Sequence, residues 1–253
     1  MLKRHLFHLV HTMLEKIAVW IPKPVKNILK TLGLDKILQL FYDKYDHELM
    51  FQKGWAREFT PNKDRVLDYW KKYRYLDDIE KICKIREDSK VLDVGCGVST
   101  VLQFIKGKRF GIDPLADEYS KLYEYPEGVH VSKALGESIP FDTDYFDIVF
   151  CSNVLDHVTS PEKAINEILR VLKRDGYFVL TVEIFEEKMK RTAAHPHLLG
   201  KKEIYSLLED RFETIFEKES PWIGMRNYVN GLNSWQNHEL VLVLKKCKDP
   251  TCA

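Results

Sequence analysis

The sequence lacks the features that mark membrane-spanning, disulfide-stabilised and zinc-binding proteins. It contains no run of about 18 consecutive apolar residues, so no segment is predicted to cross a bilayer. The five cysteines include no Cys-x-x-Cys pair, and their odd number argues against a disulfide framework. We therefore expect a protein of a reducing, cytoplasmic compartment that holds no metal ion.

Net charge is also nearly absent, at +1 for 253 residues, but it is unevenly distributed. Residues 1–40 carry seven lysines and arginines against two acids, a net +5, which leaves −4 for the rest of the chain. Lys3 and Arg4 resemble the start of a signal peptide, but polar residues interrupt the apolar segment and no small-residue cleavage site follows. The basic excess is therefore predicted to belong to an N-terminal extension.

Length and composition predict one main domain with an extension. The chain is 45% hydrophobic and 30% charged, which is enough apolar material for a sizeable core. Two amphipathic helices are expected, at residues 2–21 and 25–42, each with an apolar face. The predicted boundaries are a helical extension or lid over residues 1–75, a main domain over residues 76–247 and a tail over residues 248–253.

Two interpretations of residues 2–42 are open. The two helices can pack on the main domain as a lid, which is the common role of amphipathic helices. Alternatively, their basic surface can dock on an anionic membrane. The first interpretation predicts intramolecular contacts, and the second predicts peripheral membrane association.

The most informative stretch is a glycine turn between two predicted strands. A buried strand ends at Val94, Gly95 and Gly97 form the turn, and apolar residues from Val101 onward predict a helix. Glycine has no Cβ atom, so the backbone can turn sharply here and approach a ligand closely. A second strand ends in Asp113, 18 positions after Gly95. This is close to the spacing of roughly 20 residues at which an acid meets ribose hydroxyls in nucleotide-binding units.

The stretch differs from the dinucleotide-binding pattern and resembles another one. Thr100 replaces the third glycine, and an acid, Asp93, stands at the end of the first strand. The segment resembles motif I of class I S-adenosylmethionine-dependent methyltransferases, in which an aspartate between apolar residues precedes Gly-x-Gly. Residues 134–141, 146–158 and 160–176 follow in order and resemble later motifs of the small-molecule group that includes the ubiquinone and menaquinone methyltransferases.

The order of strands and helices predicts an α/β fold. The resemblance implies a doubly wound, mostly parallel, seven-stranded, Rossmann-like sheet whose last strand is antiparallel. Ligands of such sheets bind at the carboxyl ends of the strands, where the strand order reverses. We also expect a helix with Ser160 at its N-cap and Pro161 in first position, and a turn at residues 173–176 before the fifth strand.

The resemblance also implies S-adenosylmethionine as cofactor, with S-adenosylhomocysteine as its product. Asp113 is expected to accept hydrogen bonds from both ribose hydroxyls. Asp93 is expected to orient the glycine turn or meet the methionine amine, and Asn153 to hold the amino-acid end through its carbonyl. Leu135 stands where the family has an aspartate, so the next two backbone N–H groups, or the Glu137 side chain, are expected to contact the adenine. The full predicted cofactor set is Asp93, Gly95, Cys96, Gly97, Asp113, Pro114, Gly136, Glu137 and Asn153.

Methyl transfer from a sulfonium is an in-line displacement that depends on alignment in a dry pocket and requires no metal. A base is needed only where the acceptor loses a proton, as a hydroxyl does, and imidazoles suit this role because they titrate near neutral pH. The predicted bases are His157, His195 and His197. The predicted acceptor-binding residues are Tyr73, Asp156, Arg226 and Tyr228. Among these, Arg226 is the candidate to hold an anionic group.

The favoured function is methyl transfer to a small-molecule, glycan or lipid-linked acceptor, at a hydroxyl oxygen. A nucleic-acid methyltransferase is disfavoured, because the fourth strand is not followed by Asn/Asp-Pro-Pro-aromatic, no Pro-Cys nucleophile is present and the main domain is slightly acidic. A third interpretation, motivated by the basic segment, is a non-catalytic module that serves a partner or a membrane. The oligomeric state is not predicted.

Overall fold

The computed structural model describes residues 44–184, 196–222, 224–231 and 237–247. The helices expected at residues 2–21 and 25–42 lie outside these ranges. Seven strands form one sheet in the described part of the chain. The strands are β1 (Lys90–Val94), β2 (Lys108–Asp113), β3 (Val129–Lys133), β4 (Phe146–Ser152), β5 (Leu172–Ile184), β6 (Phe212–Trp222) and β7 (Asn237–Lys246).

Seven α-helices accompany the sheet in the described ranges. They are α1 (Lys44–Phe59), α2 (Lys63–Tyr73), α3 (Leu76–Cys83), α4 (Ala116–Tyr119), α5 (Pro161–Val171), α6 (Lys201–Leu208) and α7 (Met225–Val229). Short 3₁₀ turns occupy Thr60–Asn62 and Val101–Gln103. No helix within these ranges has the length and apolar character needed to span a membrane.

The strand order across the sheet is β3-β2-β1-β4-β5-β7-β6. Strands β1 to β5 run parallel to one another, whereas β7 runs antiparallel to both β5 and β6. The strand order reverses at β1, so a crevice opens at the carboxyl ends of β1 and β4. Val94 of β1 lies there between Ile112 of β2 and Cys151 of β4. The predicted doubly wound, mostly parallel α/β sheet with an antiparallel last strand is confirmed.

Both faces of the sheet are buried, because successive side chains of each strand point to opposite faces. On one face, Leu92 of β1 packs in a cluster with Ile168 of α5 and Ile204 of α6. On the other face, Val91 packs in a cluster with Phe59 of α1 and with residues of α2 and α3. Helices α1 to α3 therefore cover the face opposite to α5 and α6.

The predicted start of α5 is confirmed. Ser160 is its N-cap, with the side-chain oxygen accepting the Lys163 N–H at 3.3 Å, and Pro161 occupies the first turn. The turn expected at residues 173–176 is wrong, because β5 begins at Leu172, directly after α5. A register shift opposite Phe146 absorbs the extra residues within the strand.

The helix expected after the glycine turn is also wrong, since a single 3₁₀ turn, Val101–Gln103, stands there. The Thr100 side chain is the N-cap of this turn and accepts the Leu102 N–H at 3.2 Å. Gly107, with φ of +108°, then leads the chain directly into β2. The short connection keeps the carboxyl end of β1 open.

Candidate functional site

The glycine turn is fixed against β2 by backbone hydrogen bonds. The N–H groups of Gly95 and Cys96 donate to the Ile112 carbonyl at 2.8 and 3.1 Å. Gly95 and Gly97 have φ of +69° and +51°, which L side chains rarely adopt. A Cβ atom at Gly97 would also lie 2.8 Å from Gln52 Nε2. The turn therefore brings bare backbone to the edge of the crevice.

Asp113 ends β2 and faces the glycine turn. Its Oδ2 accepts the Gly97 N–H at 3.2 Å, and its Oδ1 accepts the Leu115 N–H at 2.9 Å. Burial raises the pKa of this carboxyl group to about 6, because removal from water disfavours the charged form. Each oxygen keeps a further lone pair, so the group can still accept hydrogen bonds from a ligand.

Asp93 lies in β1 beneath the turn and is almost fully buried. Its Oδ2 accepts the Thr100 hydroxyl at 2.7 Å, while its buried Oδ1 has no hydrogen-bond partner within the described ranges. Burial raises the pKa of Asp93 to about 7, against the opposing effects of Thr100 and the nearby Arg74 guanidinium. One oxygen atom is therefore able to accept a hydrogen bond from a ligand.

Two adjoining cavities occupy the crevice, with volumes of about 120 and about 660 Å³. Their walls share Glu48, Gly95, Asn153 and His157. The smaller cavity is further lined by Asp113, Pro114, Gly136 and Glu137, and the larger one by Asp93, Cys96 and Gly97. The structure thus brings all nine predicted cofactor residues to these walls.

Glu137 and Asn153 are both fixed by hydrogen bonds of their own. Glu137 Oε1 accepts the N–H groups of Thr159 and Ser160 at 2.7 and 3.2 Å, so the carboxylate closes the loop before α5. Asn153 has φ of +54° and donates its N–H to the Thr181 carbonyl at 2.8 Å. Its buried Oδ1 has no hydrogen-bond partner among the residues described. Asn153 therefore has a side-chain acceptor available at the junction of the cavities.

Cys96 lines the larger cavity, but its thiol is packed against the sheet. A Cβ atom at Gly111 would lie 2.8 Å from Cys96 Sγ, so the two residues are in close contact. Burial raises the pKa of the thiol well above its usual value, which keeps it protonated and unreactive. No group of three His, Cys, Asp or Glu side chains suited to a metal ion occurs in the described part of the chain.

The predicted histidines occupy different places. His157 lines both cavities, and its Nε2 lies 3.5 Å from Oδ2 of the buried Asp156. His197 lies in a separate shallow groove beside α6, with its Nε2 3.3 Å from the Thr159 carbonyl oxygen. His195 lies outside the described residues. Of the two histidines described, His157 is the one at the cavities.

Tyr73 and Tyr228 were expected near the acceptor, but the structure packs them against each other. Their ring centroids lie 5.4 Å apart, and both contact Tyr69, at 5.2 and 5.7 Å. The Tyr228 hydroxyl donates a hydrogen bond to Asp68. Neither Tyr73 nor Tyr228 lines the two cavities, so this tyrosine cluster joins α2 to α7 beside the site.

Arg226 and Asp156 do line the larger cavity. The Arg226 guanidinium donates to both carboxylate oxygens of Glu58, at 2.6 and 2.9 Å, and these hydrogen bonds lower the pKa of Glu58. A Cβ atom at Gly54 would lie 2.7 Å from Arg226 Nη2, so the glycine leaves room for the guanidinium. The arginine expected to hold an anion is therefore already paired, and it joins α7 to α1.

Helices α1 and α2 supply wall residues that sequence reasoning missed. The larger cavity is lined from α1 by Glu48, Phe51, Gln52 and Trp55, and beside them by Trp70 and Arg74. Arg74 donates two hydrogen bonds to Glu239 of β7, at 2.8 and 3.2 Å, and both side chains are buried. The density of aromatic residues before β1 was the available signal, but it does not reveal which side chains face a ligand.

Comparison with known sequences agrees with the motifs. Residues 92–180 match the family model described as a methyltransferase domain. YcgJ of Bacillus subtilis, an uncharacterised methyltransferase, is 33% identical over 108 residues, which cover 40% of this chain and 43% of that protein. A ubiquinone biosynthesis O-methyltransferase of Glaesserella parasuis is 33% identical over 106 residues, which cover 37% of this chain and 45% of that protein. The chain thus spans less than half the length of both relatives.

Comparison with solved structures agrees on the fold. The crystal structure of the YcgJ protein of Bacillus subtilis covers 69% of this chain and 98% of its own, with a TM-score of 0.53 and 18% identity. A chain from the complex of the Haloferax volcanii Trm112 methyltransferase activator with a methyltransferase covers 78% of this chain and 97% of its own, with a TM-score of 0.56 and 16% identity. At such identities the likeness shows the fold alone. Residues 92–180 thus resemble a methyltransferase domain in sequence, and the described part of the chain shares the fold of these methyltransferase structures.

Proposed function

We propose that the protein transfers the methyl group of S-adenosylmethionine to a hydroxyl oxygen of a small-molecule, glycan or lipid-linked acceptor. The observation that carries the proposal is the convergence of nine cofactor residues on two adjoining cavities. These residues come from the segments that follow β1, β2, β3 and β4, and they meet where the strand order reverses. This is the place where open α/β sheets bind nucleotide-like ligands.

The polar groups on the walls fit the chemistry of the cofactor. Asp93 and Asn153 each have a buried side-chain oxygen that lacks a hydrogen-bond partner within the described ranges. An ammonium group, such as that of the methionine moiety, carries the donors that such acceptors require. Asp113 lines the smaller cavity and suits a ribose diol. The bare backbone at the glycine turn suits a ligand that lies close to the main chain.

The bound cofactor supplies an electrophilic methyl group on a sulfonium sulfur. The chain orients the acceptor, excludes water and takes up the hydroxyl proton. His157 stands where the two cavities meet, so its imidazole is the proposed proton acceptor. The buried Asp156 lies 3.5 Å from its Nε2 and is the proposed group that orients the imidazole ring. Trp55 and Trp70 narrow the larger cavity and limit access of water.

Oxygen as the acceptor atom is supported by the relative named as an O-methyltransferase. We assign the cover over the site to the helices that precede β1, in line with the lid predicted over residues 1–75. A cytoplasmic location and peripheral membrane contact of residues 2–42 stay predictions. Flotation of the full chain with phosphatidylserine and with phosphatidylcholine vesicles tests the membrane contact, which is contradicted if the anionic vesicles retain no more protein than the neutral ones.

Isothermal titration calorimetry with S-adenosylhomocysteine tests the cofactor assignment. We expect saturable binding, and we expect Asp113→Ala to weaken it about tenfold or more, because charge-assisted hydrogen bonds are lost. Asp142→Ala, which changes an exposed aspartate, is the matched control and should bind like the wild-type protein. No binding by the wild-type protein would refute the proposed function.

A further inference from the structure

The smaller cavity has a second carboxylate that no motif predicts. Glu48 of α1 lines this cavity together with Asp113 at the end of β2, and it also lines the larger cavity. The volume shared by the two carboxylates is about 120 Å³, so both border one confined space. A ligand that fills this space therefore lies between the sheet and α1.

Glu48 is held in place by a hydrogen-bonded chain that ends at the glycine turn. Its Oε1 accepts the Gln52 Nε2 amide at 2.8 Å, and Gln52 Oε1 accepts the Val98 N–H at 3.1 Å. Gln52 is buried and lies against Gly97, where a Cβ atom would be 2.8 Å from its Nε2. The position of Glu48 is thus coupled to the turn that borders the cofactor site.

The ionisable groups around the smaller cavity are mostly acidic. Its described wall contains Glu48, Asp113 and Glu137 but no lysine or arginine, and His157 is the sole group there that can become a cation. Glu137 already accepts two backbone N–H groups. Burial raises the pKa of Asp113, and the nearby Glu48 charge adds to this rise. Such a wall favours a neutral ligand group with several donors and repels a phosphate.

A ribose with free 2′- and 3′-hydroxyls is a group of this kind. It has two O–H donors on adjacent carbons, whereas each Asp113 oxygen already accepts one backbone N–H. A second carboxylate on the wall of the same cavity gives one hydroxyl an acceptor of its own. We propose that Glu48 acts with Asp113 as a second ribose-binding carboxylate and restricts the site to cofactors with an unphosphorylated ribose. The inference rests on the proposed function, because it assumes that the adenosyl group occupies the smaller cavity.

The experiment compares a protein change with a ligand change. S-adenosylhomocysteine and its 2′-deoxy and 3′-deoxy analogues are titrated by calorimetry into the wild-type protein and into Glu48→Gln. We expect Glu48→Gln to weaken binding of the parent ligand about tenfold. For the analogue that lacks the contacted hydroxyl, the same substitution should weaken binding by no more than about twofold, because the interaction is already absent.

Glu58→Gln is the matched control, since Glu58 lies on the same helix but lines neither cavity. This substitution should weaken binding of the parent ligand and of both analogues by the same factor or not at all. Adenosine 2′- and 3′-monophosphates should compete with the parent ligand about tenfold less well than adenosine does, and Glu48→Gln should narrow this gap.

The outcomes separate this inference from the proposed function. Equal weakening of all three ligands by Glu48→Gln would indicate a purely structural role and overturn the inference. Unchanged binding of all three would overturn it as well. If the wild-type protein binds the parent ligand and Asp113→Ala does not, the proposed function stands in either case. Failure of the wild-type protein to bind would remove both.

Discussion

The two walls of the site are built in different ways. The sheet wall comes mainly from strand ends and loops within one stretch, residues 93–158, to which β5 adds Glu183. The cover wall comes from α1, α2 and α7, and its hydrogen bonds join distant parts of the chain, as between Glu58 and Arg226, 168 positions apart. Most of the proposed cofactor contacts are therefore encoded locally, whereas Glu48 and the proposed surroundings of the acceptor depend on tertiary contacts.

The largest expected effect concerns His157, which belongs to the sheet wall but faces both cavities. We expect His157→Ala to lower kcat by about 10²–10⁴-fold, because general-base assistance to the acceptor hydroxyl is lost. Activity is measured as transfer of tritium from methyl-labelled S-adenosylmethionine to alcohol and phenol acceptors. His197→Ala, in the groove beside α6, is the control and should keep full activity. Equal losses in the two variants would rule out the assignment.

The second effect concerns the buried pair that fixes the cover wall. Arg74→Met leaves Glu239 buried without its cation, so the free energy of unfolding should fall by about 3–5 kcal/mol in urea titrations. Lys71→Ala breaks the exposed pair with Asp77, 3.3 Å apart, and should cost less than about 1 kcal/mol. The double variant Arg74→Met/Glu239→Leu should recover much of the loss. Similar costs for the buried and the exposed pair would contradict this account.

The third effect concerns the stability that the folded protein loses by burying the charged form of Asp93 in the sheet wall. The pKa of Asp93 is about 7 in the folded protein against an ordinary value of 3.8, so the folded state binds this proton more tightly than the unfolded chain does. Its contribution to stability is therefore largest at low pH and is lost as the pH rises from about 4 to 7. Asp93→Asn should be more stable than the wild-type protein at pH 8, by on the order of 2–4 kcal/mol, and nearly equal at pH 4.

Urea titrations at the two pH values measure this difference, and Asp142→Asn should show none. Calorimetry should also show weaker binding of S-adenosylhomocysteine by Asp93→Asn, because the acceptor for the methionine amine is neutral. A variant that is less stable than the wild-type protein at pH 8 would show that burial does not disfavour the charged form of Asp93.

The smallest expected effect concerns the link between α1 and α7. The Arg226 and Glu58 side chains are each about one-third exposed, so Arg226→Gln should cost less than about 1 kcal/mol in thermal unfolding. We expect a severalfold rise in the acceptor KM with unchanged binding of S-adenosylhomocysteine, because the substitution loosens the cover wall alone. Glu58→Gln should behave alike. A matching loss of cofactor binding would mean that the link between Glu58 and Arg226 also supports the proposed cofactor site.

The sheet wall could be predicted because its side chains are held by neighbours close in sequence. Gly97 and Asp113 are 16 positions apart and joined by one hydrogen bond, so the motif defines the geometry. The helix expected from Val101 is limited to one turn because Gly107, with φ of +108°, turns the chain into β2 at Lys108. Hydrophobic periodicity does not show where the next strand begins.

The cover wall could not be predicted from the same kind of reasoning. Tyr73 and Tyr228 were predicted to bind the acceptor, but they pack together beside the cavities, while Trp70 lines one of them. Arg74 finds its partner Glu239 at a separation of 165 positions, and the sequence gives no pattern that pairs them. Contacts between residues that are distant in sequence and belong to no common motif can be identified from the structure alone.

The bond between Arg74 and Glu239 has a consequence for synthesis of the protein. β7 follows β1 to β6 in the sequence, so a chain still emerging from the ribosome contains Arg74 long before it contains Glu239. Until β7 has been made, the Arg74 guanidinium cannot form this pair. Polypeptides that end before β7 should therefore hold the proposed cofactor more weakly than the full chain.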